Sequence, residues 1–467
     1  MTPKRLKDIF TPEIRELAKL FVDEGHEFHL VGGSVRDALL DREVSDLDFT
    51  TGARPDDIER IGGGWASSLF LAGRDFGTIG LVRGGTVHEV TTYRSEIYKD
   101  DSRNPVVTFG TDLDEDLSRR DFTVNAMALR VPLEEGEAPE MRDPRGGLAD
   151  LSAGVLRTPL DPSVLFSDDP LRMLRLFRFM STHGFTADAS ALQAVSLMTD
   201  RLAIISPERI RTEFDKLIVG TNVVVALEAL LESGLAEQFI PEIPALAVEQ
   251  DPVHRHKDVL AHTIAVVGRS DVDREEPRLE TRLAALFHDI GKPATREFEK
   301  GGVSFHHHEV VGARMTRKRM KALRYPNQVT QDVGDLVFLH MRPHTYKMGW
   351  TDAAVRRYVR DAGHLLDQLN ELVRCDVTTR NERRARTISR RIDELEARIA
   401  ELREQEELDA LRPPIDGNQV MEYLGLSPSR QVGQIMDMLL EHRIENGPYT
   451  EAEAFVLLDE WRRTNPD

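Results

Sequence analysis

The sequence predicts an α+β fold class: a mixed sheet with helices first, then an all-helical remainder. Three observations lead there. Short β runs separated by glycine turns fill roughly residues 26–157. From Pro170 onward the apolar period is helical and stays so. At 467 residues the chain is too long for one ordinary domain.

In order along the chain, residues 1–25 read as one amphipathic helix, with Ile14, Leu17, Ala18, Phe21 and Val22 at helical spacing. Strands are expected at Glu27–Val31, Leu47–Thr51, Ile79–Val82 and Thr86–Tyr93, with a helix over Arg36–Leu40. Asp169 followed by Pro170 is a helix-start signal, repeated at Ser206-Pro207. A long helix is expected from Asn381 to Leu411, stopped by Pro413-Pro414. The expected domains are a head over 1–157, a helical neck over 158–250, a second helical domain over 251–378 and a helical tail over 379–467.

Charged residues make up 30% and hydrophobic residues 40%, the balance of a globular protein. No apolar run reaches the roughly 18 residues needed to span a bilayer, and the first ten residues contain no signal-peptide core. A single cysteine, Cys375, excludes an internal disulfide framework. A cytoplasmic location without membrane attachment is therefore expected. The net charge of −19 does not decide for or against nucleic acid, because phosphate backbones respond to local patches. Two arginine-dense stretches, Arg314–Arg324 and Arg380–Arg391, stand out against the acidic background.

The chemistry-bearing residues begin with Gly32-Gly33, placed between a strand and a helix. Glycines let a backbone approach a phosphate closely, the helix start offers unpaired N–H groups, and Arg36 adds a charged contact. Asp46 and Asp48 follow on the next strand. Two positions apart, they point to one face, roughly 6–7 Å apart at Cα. Like charges so close call for neutralising cations, and hard oxygen ligands suit Mg²⁺ with positions left open for phosphates. Val31-Gly32-Gly33-Ser34-Val35-Arg36-Asp37 with Asp46-x-Asp48 resembles the signature of the polymerase β-type nucleotidyltransferases. Within them it is similar to class II CCA-adding enzymes and bacterial poly(A) polymerases.

That resemblance implies a polymerase β-like head and a third carboxylate on a later strand, for which Glu89 is the candidate. Arg119-Arg120-Asp121-Phe122-Thr123-Val124-Asn125 resembles the family's ribose- and triphosphate-binding motif. Paired arginines can grip phosphate, while Asp121 and Asn125 suit sugar hydroxyls. Asp168-Asp169-Pro170-Leu171-Arg172 resembles the base-reading motif, with Asp168 where the family commonly has Glu. A carboxylate at Asp169 accepts from the exocyclic amine of cytosine or adenine, and Arg172 donates to the adjacent ring acceptors. Guanine and uracil would leave a group unsatisfied, at about 1–3 kcal/mol. Asp101–Pro105 resembles a flexible loop used in switching from C to A addition, and Ser206–Ile210 with Glu213 and Lys216 resembles a neck motif.

Further on, His262, the adjacent His288-Asp289, and Asp376 resemble the HD phosphohydrolase pattern. Imidazole plus carboxylate suits a second divalent metal, a transition metal or Mg²⁺. Lys292 is placed to meet a phosphate, and His306, His307, His308 and His340 are candidates to extend the site to two metals. The resemblance implies an enzyme that adds or repairs the CCA end of tRNA from CTP and ATP. Its HD domain would clean damaged 3′ ends, and Arg383, Arg384 and Arg386 would contact tRNA. A poly(A) polymerase, or an HD phosphohydrolase acting on RNA 3′ ends, are the alternatives.

Overall fold

The computed structural model describes residues 4–44, 47–97, 106–247, 259–299, 302–345, 350–377, 382–406 and 411–465. The chain divides into two compact units, Met1–Pro241 and Glu242–Asp467.

The first unit opens with α1 (Lys4–Ile9) and α2 (Pro12–Asp23). The single helix expected over 1–25 is thus two. Pro12 has no N–H to continue α1, and Thr11 caps the restart by accepting from the Ile14 N–H. Then come β1 (Phe28–Val31), α3 (Gly33–Leu39), β2 (Leu47–Thr51), α4 (Pro55–Gly63), β3 (Ser68–Phe70), β4 (Thr78–Arg83) and β5 (Thr86–Thr92). After them come β6 (Arg94–Ile97), β7 (Val106–Phe109), α5 (Leu113–Ser118), β8 (Ala128–Arg130), β9 (Glu140–Arg142) and α6 (Gly147–Ala153). Seven strands form one sheet in the order β3-β4-β5-β2-β1-β8-β9, in which only β2 and β5 run parallel. The mixed sheet is as expected, but β3, β8 and β9 carry too few alternating residues to be read from sequence. Phe21, Phe28 and Phe49 stack at centroid distances of 4.8 Å, fixing α2 and β2 on either side of β1.

The unit ends in helices: α7 (Pro162–Asp168), α8 (Leu171–His183), α9 (Ala189–Met198), α10 (Pro207–Ile218) and α11 (Val223–Glu232). α8 buries Leu174, Leu176, Phe177 and Met180 and packs on α10 and α11. Asp169 stands between α7 and α8. Its Oδ1 accepts from the Leu171 N–H at 3.2 Å, so the start signal seen in the sequence works one residue later.

The second unit is almost wholly helical: α12 (Val259–Arg269), α13 (Leu279–Phe287), α14 (His308–Ala322), α15 (Asn327–Leu339), α16 (Arg342–Thr345), α17 (Asp352–Ala362) and α18 (Leu366–Cys375). A short hairpin, Glu297–Glu299 with Gly302–Ser304, precedes α14. Helices α12, α13, α15 and α18 pack together around Leu283, Leu286, Val333, Leu336 and Leu369. α19 (Glu382–Gln405), α20 (Gly417–Leu424), α21 (Arg430–Asn446) and α22 (Glu451–Thr464) follow, the last three closing over Val420, Ile435, Leu439 and Leu458. No helix among the described residues is long and apolar enough to cross a membrane.

Candidate active site and metal cluster

In the first unit the glycine turn between β1 and α3 lies against β2. Gly32 has φ +70°, which favours glycine, and a Cβ there would stand 3.0 Å from Arg120 Nη1. The Asp48 N–H donates to Ser34 Oγ at 3.1 Å, tying the carboxylate-bearing strand to the turn. Asp48 is half-buried, and its partner across the parallel β2–β5 ladder is Glu89, which is exposed. In-register partners on neighbouring strands share a face, so these two carboxylates stand side by side. Asp46 lies outside the described residues, as does Asp101–Pro105.

Arg36 is buried, and its guanidinium is taken up by protein partners: Nη1 donates to Asn125 Oδ1 at 2.6 Å, Nε and Nη2 to Asp37 at 2.9 and 2.7 Å. Burial alone would raise the Asp37 carboxyl, but His183 and Arg36 beside it bring it down to about 2. Arg119 and Arg120 are aimed by one carboxylate, Asp116, whose side chain is fully buried. Its oxygens accept from Arg119 Nη2 at 2.7 Å and Arg120 Nη2 at 3.1 Å. Against burial, those two arginines hold Asp116 below the usual carboxylate range. Asp121 accepts from Asn125 Nδ2 and from Arg175 Nε, at 2.9 and 2.8 Å, and burial is again overcome by Arg175. Asp169 Oδ2 accepts from Arg209 Nη2 at 3.2 Å, and the buried Arg172 donates to the Leu165 carbonyl at 3.1 Å.

These side chains line a cleft of about 430 Å³. Eight of its sixteen lining residues are arginines against three carboxylates, so within a chain of charge −19 it is a cationic seat. It brings together Gly32, Gly33, Arg36, Asp48, Arg119, Arg120, Asp121, Asn125, Asp169 and Arg172. Four arginines join them without having been singled out as nucleotide contacts: Arg94, Arg175, Arg178 and Arg209. Arg172, Arg175 and Arg178 recur every third residue along the otherwise apolar stretch Leu171–Met180, a signal visible in the sequence. Arg178 lies over the Phe179 ring at 4.0 Å and pairs with the buried Glu213 at 3.1 Å. Burial and the neighbouring Arg175 lower Arg178 to about 10. A larger cavity, about 790 Å³, lies against Leu47 and His88, which alternate with the carboxylate positions, and Arg83 is its only basic lining residue apart from His88.

In the second unit, His262, His288 and Asp376 come together from α12, the end of α13 and the end of α18. His262 Nε2 lies 3.0 Å from Asp376 Oδ1 and 3.2 Å from His288 Nε2. Asp289 completes the set: its Oδ2 is 3.2 Å from His288 Nε2 and 3.4 Å from His262 Nε2. Its other oxygen turns to His308 Nε2 at 3.6 Å, and Asp289, His308 and His340 form a second group of convergent ligand atoms. His306 and His307 are exposed and outside both groups.

Hydrogen-bond geometry turns the ligating nitrogens of this cluster inward, and its carboxylates draw positive charge there, a proton on His288 when no metal is bound. His288, His308 and His340 each donate Nδ1–H to the carbonyl three residues back, at 2.8, 2.8 and 2.6 Å, which leaves Nε2 free to ligate. Burial opposes charge on His288, but Asp289 and Asp376 raise it to about 10; burial with His288 nearby lowers His340 to about 3. Lys292 Nζ donates to Asp289 Oδ2 at 2.7 Å, so it is engaged by a ligand carboxylate.

Comparison with known proteins agrees with both regions. The poly A polymerase head domain family matches residues 28–157, the "Probable RNA and SrmB- binding site of polymerase A" family residues 184–246, and the HD domain family residues 259–399. A CCA-adding enzyme of Lactobacillus delbrueckii subsp. bulgaricus is 38% identical over 56% of this chain, and the match spans 62% of that enzyme's length. An A-adding tRNA nucleotidyltransferase of Deinococcus radiodurans is 32% identical over 94% of this chain and 96% of its own. In fold, the chain superposes on the Bacillus stearothermophilus CCA-adding enzyme in complex with CTP with a TM-score of 0.69, at 23% identity, over 97% of each chain. A head of polymerase type, an HD domain and a nearly full-length relative together make this chain a member of the tRNA nucleotidyltransferase family.

Proposed function

We propose that the chain adds or repairs the 3′-terminal CCA of tRNA without a nucleic-acid template, using CTP and ATP and releasing pyrophosphate. The observation that carries this is the arginine-lined cleft, in which phosphate-gripping, sugar-contacting and base-reading side chains meet beside the Asp48–Glu89 pair. Divalent metal use comes with this family. In the head, Asp46, Asp48 and Glu89 would hold Mg²⁺, which activates the 3′-hydroxyl and stabilises the departing pyrophosphate. Arg119 and Arg120, held by Asp116, bind the triphosphate; Asp121 and Asn125 orient the ribose. Asp169 and Arg172 accept from and donate to the Watson–Crick edge that cytosine and adenine share. The proposed division of the chain is a head over 1–157, a neck over 158–250, an HD domain over 251–378 and a tail over 379–467. Arg386 in the tail is exposed, whereas the side chains of Arg383 and Arg384 are outside the described ones; all three are proposed to contact tRNA. The whole would work in the cytoplasm.

For the second unit the reading is a phosphohydrolase centre acting on RNA 3′ ends. Its histidine-rich donor set suits a transition-metal cation better than Mg²⁺. Asp289, with one oxygen toward each ligand group, would help hold a cation with either group.

A second reading, A-only addition, is favoured by the Deinococcus radiodurans relative, which matches nearly the whole chain. Incubating tRNAs ending before C74, before C75 and before A76 with CTP and ATP, then sequencing the products, separates them. CCA on all three supports the proposal. Extension of the last substrate alone supports A-only addition, and an unbounded A tail supports the poly(A) polymerase alternative.

A further inference from the structure

One face of α14 carries a charge pattern that neither site uses. The helix contains Arg314, Arg317, Lys318, Arg319 and Lys321, with Glu309 as its only acid. Two of these cations are neutralised: Arg319 donates to Glu242 at 2.8 Å and Arg317 to Asp335 on α15 at 2.6 Å. Gly334 makes the second pair feasible, since a Cβ there would meet Arg317 Nε at 2.6 Å. Arg314, Lys318 and Lys321 are exposed, and among the described residues no ion pair is seen for them. Spaced by four and then three residues, they form one stripe. His308, Gly312, Thr316 and Met320 are buried on the opposite side of α14, so the stripe is separate from the metal cluster.

The stripe borders a cavity of about 730 Å³ whose apolar part is Val310, Ala313 and Phe338. Val310 and Phe338 are each 38% exposed. Three adjacent cations repel one another, and a merely solvated face in a chain of charge −19 has acids available to balance them. A cationic rim beside an accessible aromatic is what a nucleic-acid backbone needs: phosphates on the rim, a sugar or base against the ring.

We infer that this groove binds the phosphodiester backbone of the RNA whose 3′ end is extended, as a contact surface apart from both metal-binding sites. It rests on the nucleotidyl-transfer reading. The test uses the full chain carrying Arg314→Glu, Lys318→Glu and Lys321→Glu together, with the corresponding Gln triple as the milder variant. Kd for tRNA is measured between about 50 and 300 mM salt, and Kd for CTP is measured without RNA. The Glu triple should weaken tRNA binding about tenfold or more near 0.1 M salt and lower the log–log salt slope by about 2–3. The Gln triple should fall between it and the unaltered chain, and CTP affinity should not move. An unaltered chain that extends tRNA, together with Glu and Gln triples of native helicity whose tRNA Kd and salt slope equal its own, removes the groove alone. An unaltered chain that neither binds tRNA nor adds nucleotides removes the groove and the reading beneath it.

Discussion

The cleft in the first unit and the cluster in the second solve opposite electrostatic problems. The cleft crowds eight arginines around three carboxylates, and two buried acids, Asp121 within it and Asp116 behind Arg119 and Arg120, are spent on holding arginines in place. Such a site is arranged for a polyanion, and its metal is best delivered with that anion, as Mg²⁺ is with a triphosphate. The cluster turns four imidazoles and two carboxylates inward, and three of the imidazoles, His288, His308 and His340, have Nδ1–H fixed on a carbonyl. It is proposed to retain a cation in the absence of substrate. The lesson is that acidic residues alone do not announce a metal site; what surrounds them does.

Several changes sharpen or break that contrast. The largest effect belongs to Asp48→Ala, which should reduce nucleotide addition to tRNA at least about a thousandfold. The same variant should leave the metal content of the His262–His288–Asp376 cluster and any phosphatase activity intact. His288→Ala should do the reverse, lowering metal content by elemental analysis while CMP incorporation continues. If either change abolished both activities in a folded chain, the two regions would not be independent. Next, Arg172→Met should cost about 10- to 100-fold in kcat/KM for CTP and ATP and narrow their advantage over UTP, since one base-edge contact is lost. An unchanged nucleotide preference would remove Arg172 from base reading.

The smallest effect is on stability. Asp37, held at about 2 by His183 and Arg36, binds protons more weakly in the folded chain than in the unfolded one. Its contribution, roughly 2 kcal/mol, is therefore present above about pH 4 and is lost as pH falls from there through about 2. Asp37→Asn should lower Tm at neutral pH and flatten the acid limb of a Tm–pH curve, and an unaltered acid limb would refute the pairing.

Much of the first site was legible because its residues sit in short contiguous motifs. Gly32-Gly33, Asp48, Arg119-Arg120-Asp121 and Asp169-x-x-Arg172 all converge on one cleft. What the motifs concealed is who holds whom. Arg36 reads as a phosphate contact, yet its guanidinium is engaged by Asn125 and Asp37. Asp116 reads as one acid among several at a helix start, and only the fold shows it beneath both arginines. Glu89 is a candidate through the family resemblance alone, and its parallel register with Asp48 is a long-range fact that no local pattern contains. In the second unit the run His306-His307-His308 invited three ligands. Helix α14 begins at the third, and the backbone of His307, at φ +60°, precedes that turn with its side chain outside. His340 joins from 32 residues beyond His308, a pairing set by α14 and α15 packing together.

The most direct measurement is a crystal structure of the chain with CTP and magnesium. The expected result is a cation bound by Asp48 and by oxygens of the triphosphate, with the phosphates on Arg119 and Arg120 and the cytosine edge on Asp169 and Arg172. A triphosphate bound outside the arginine cleft, or a nucleotide-bound cation with the Asp48 carboxylate turned away from it, contradicts the assignment.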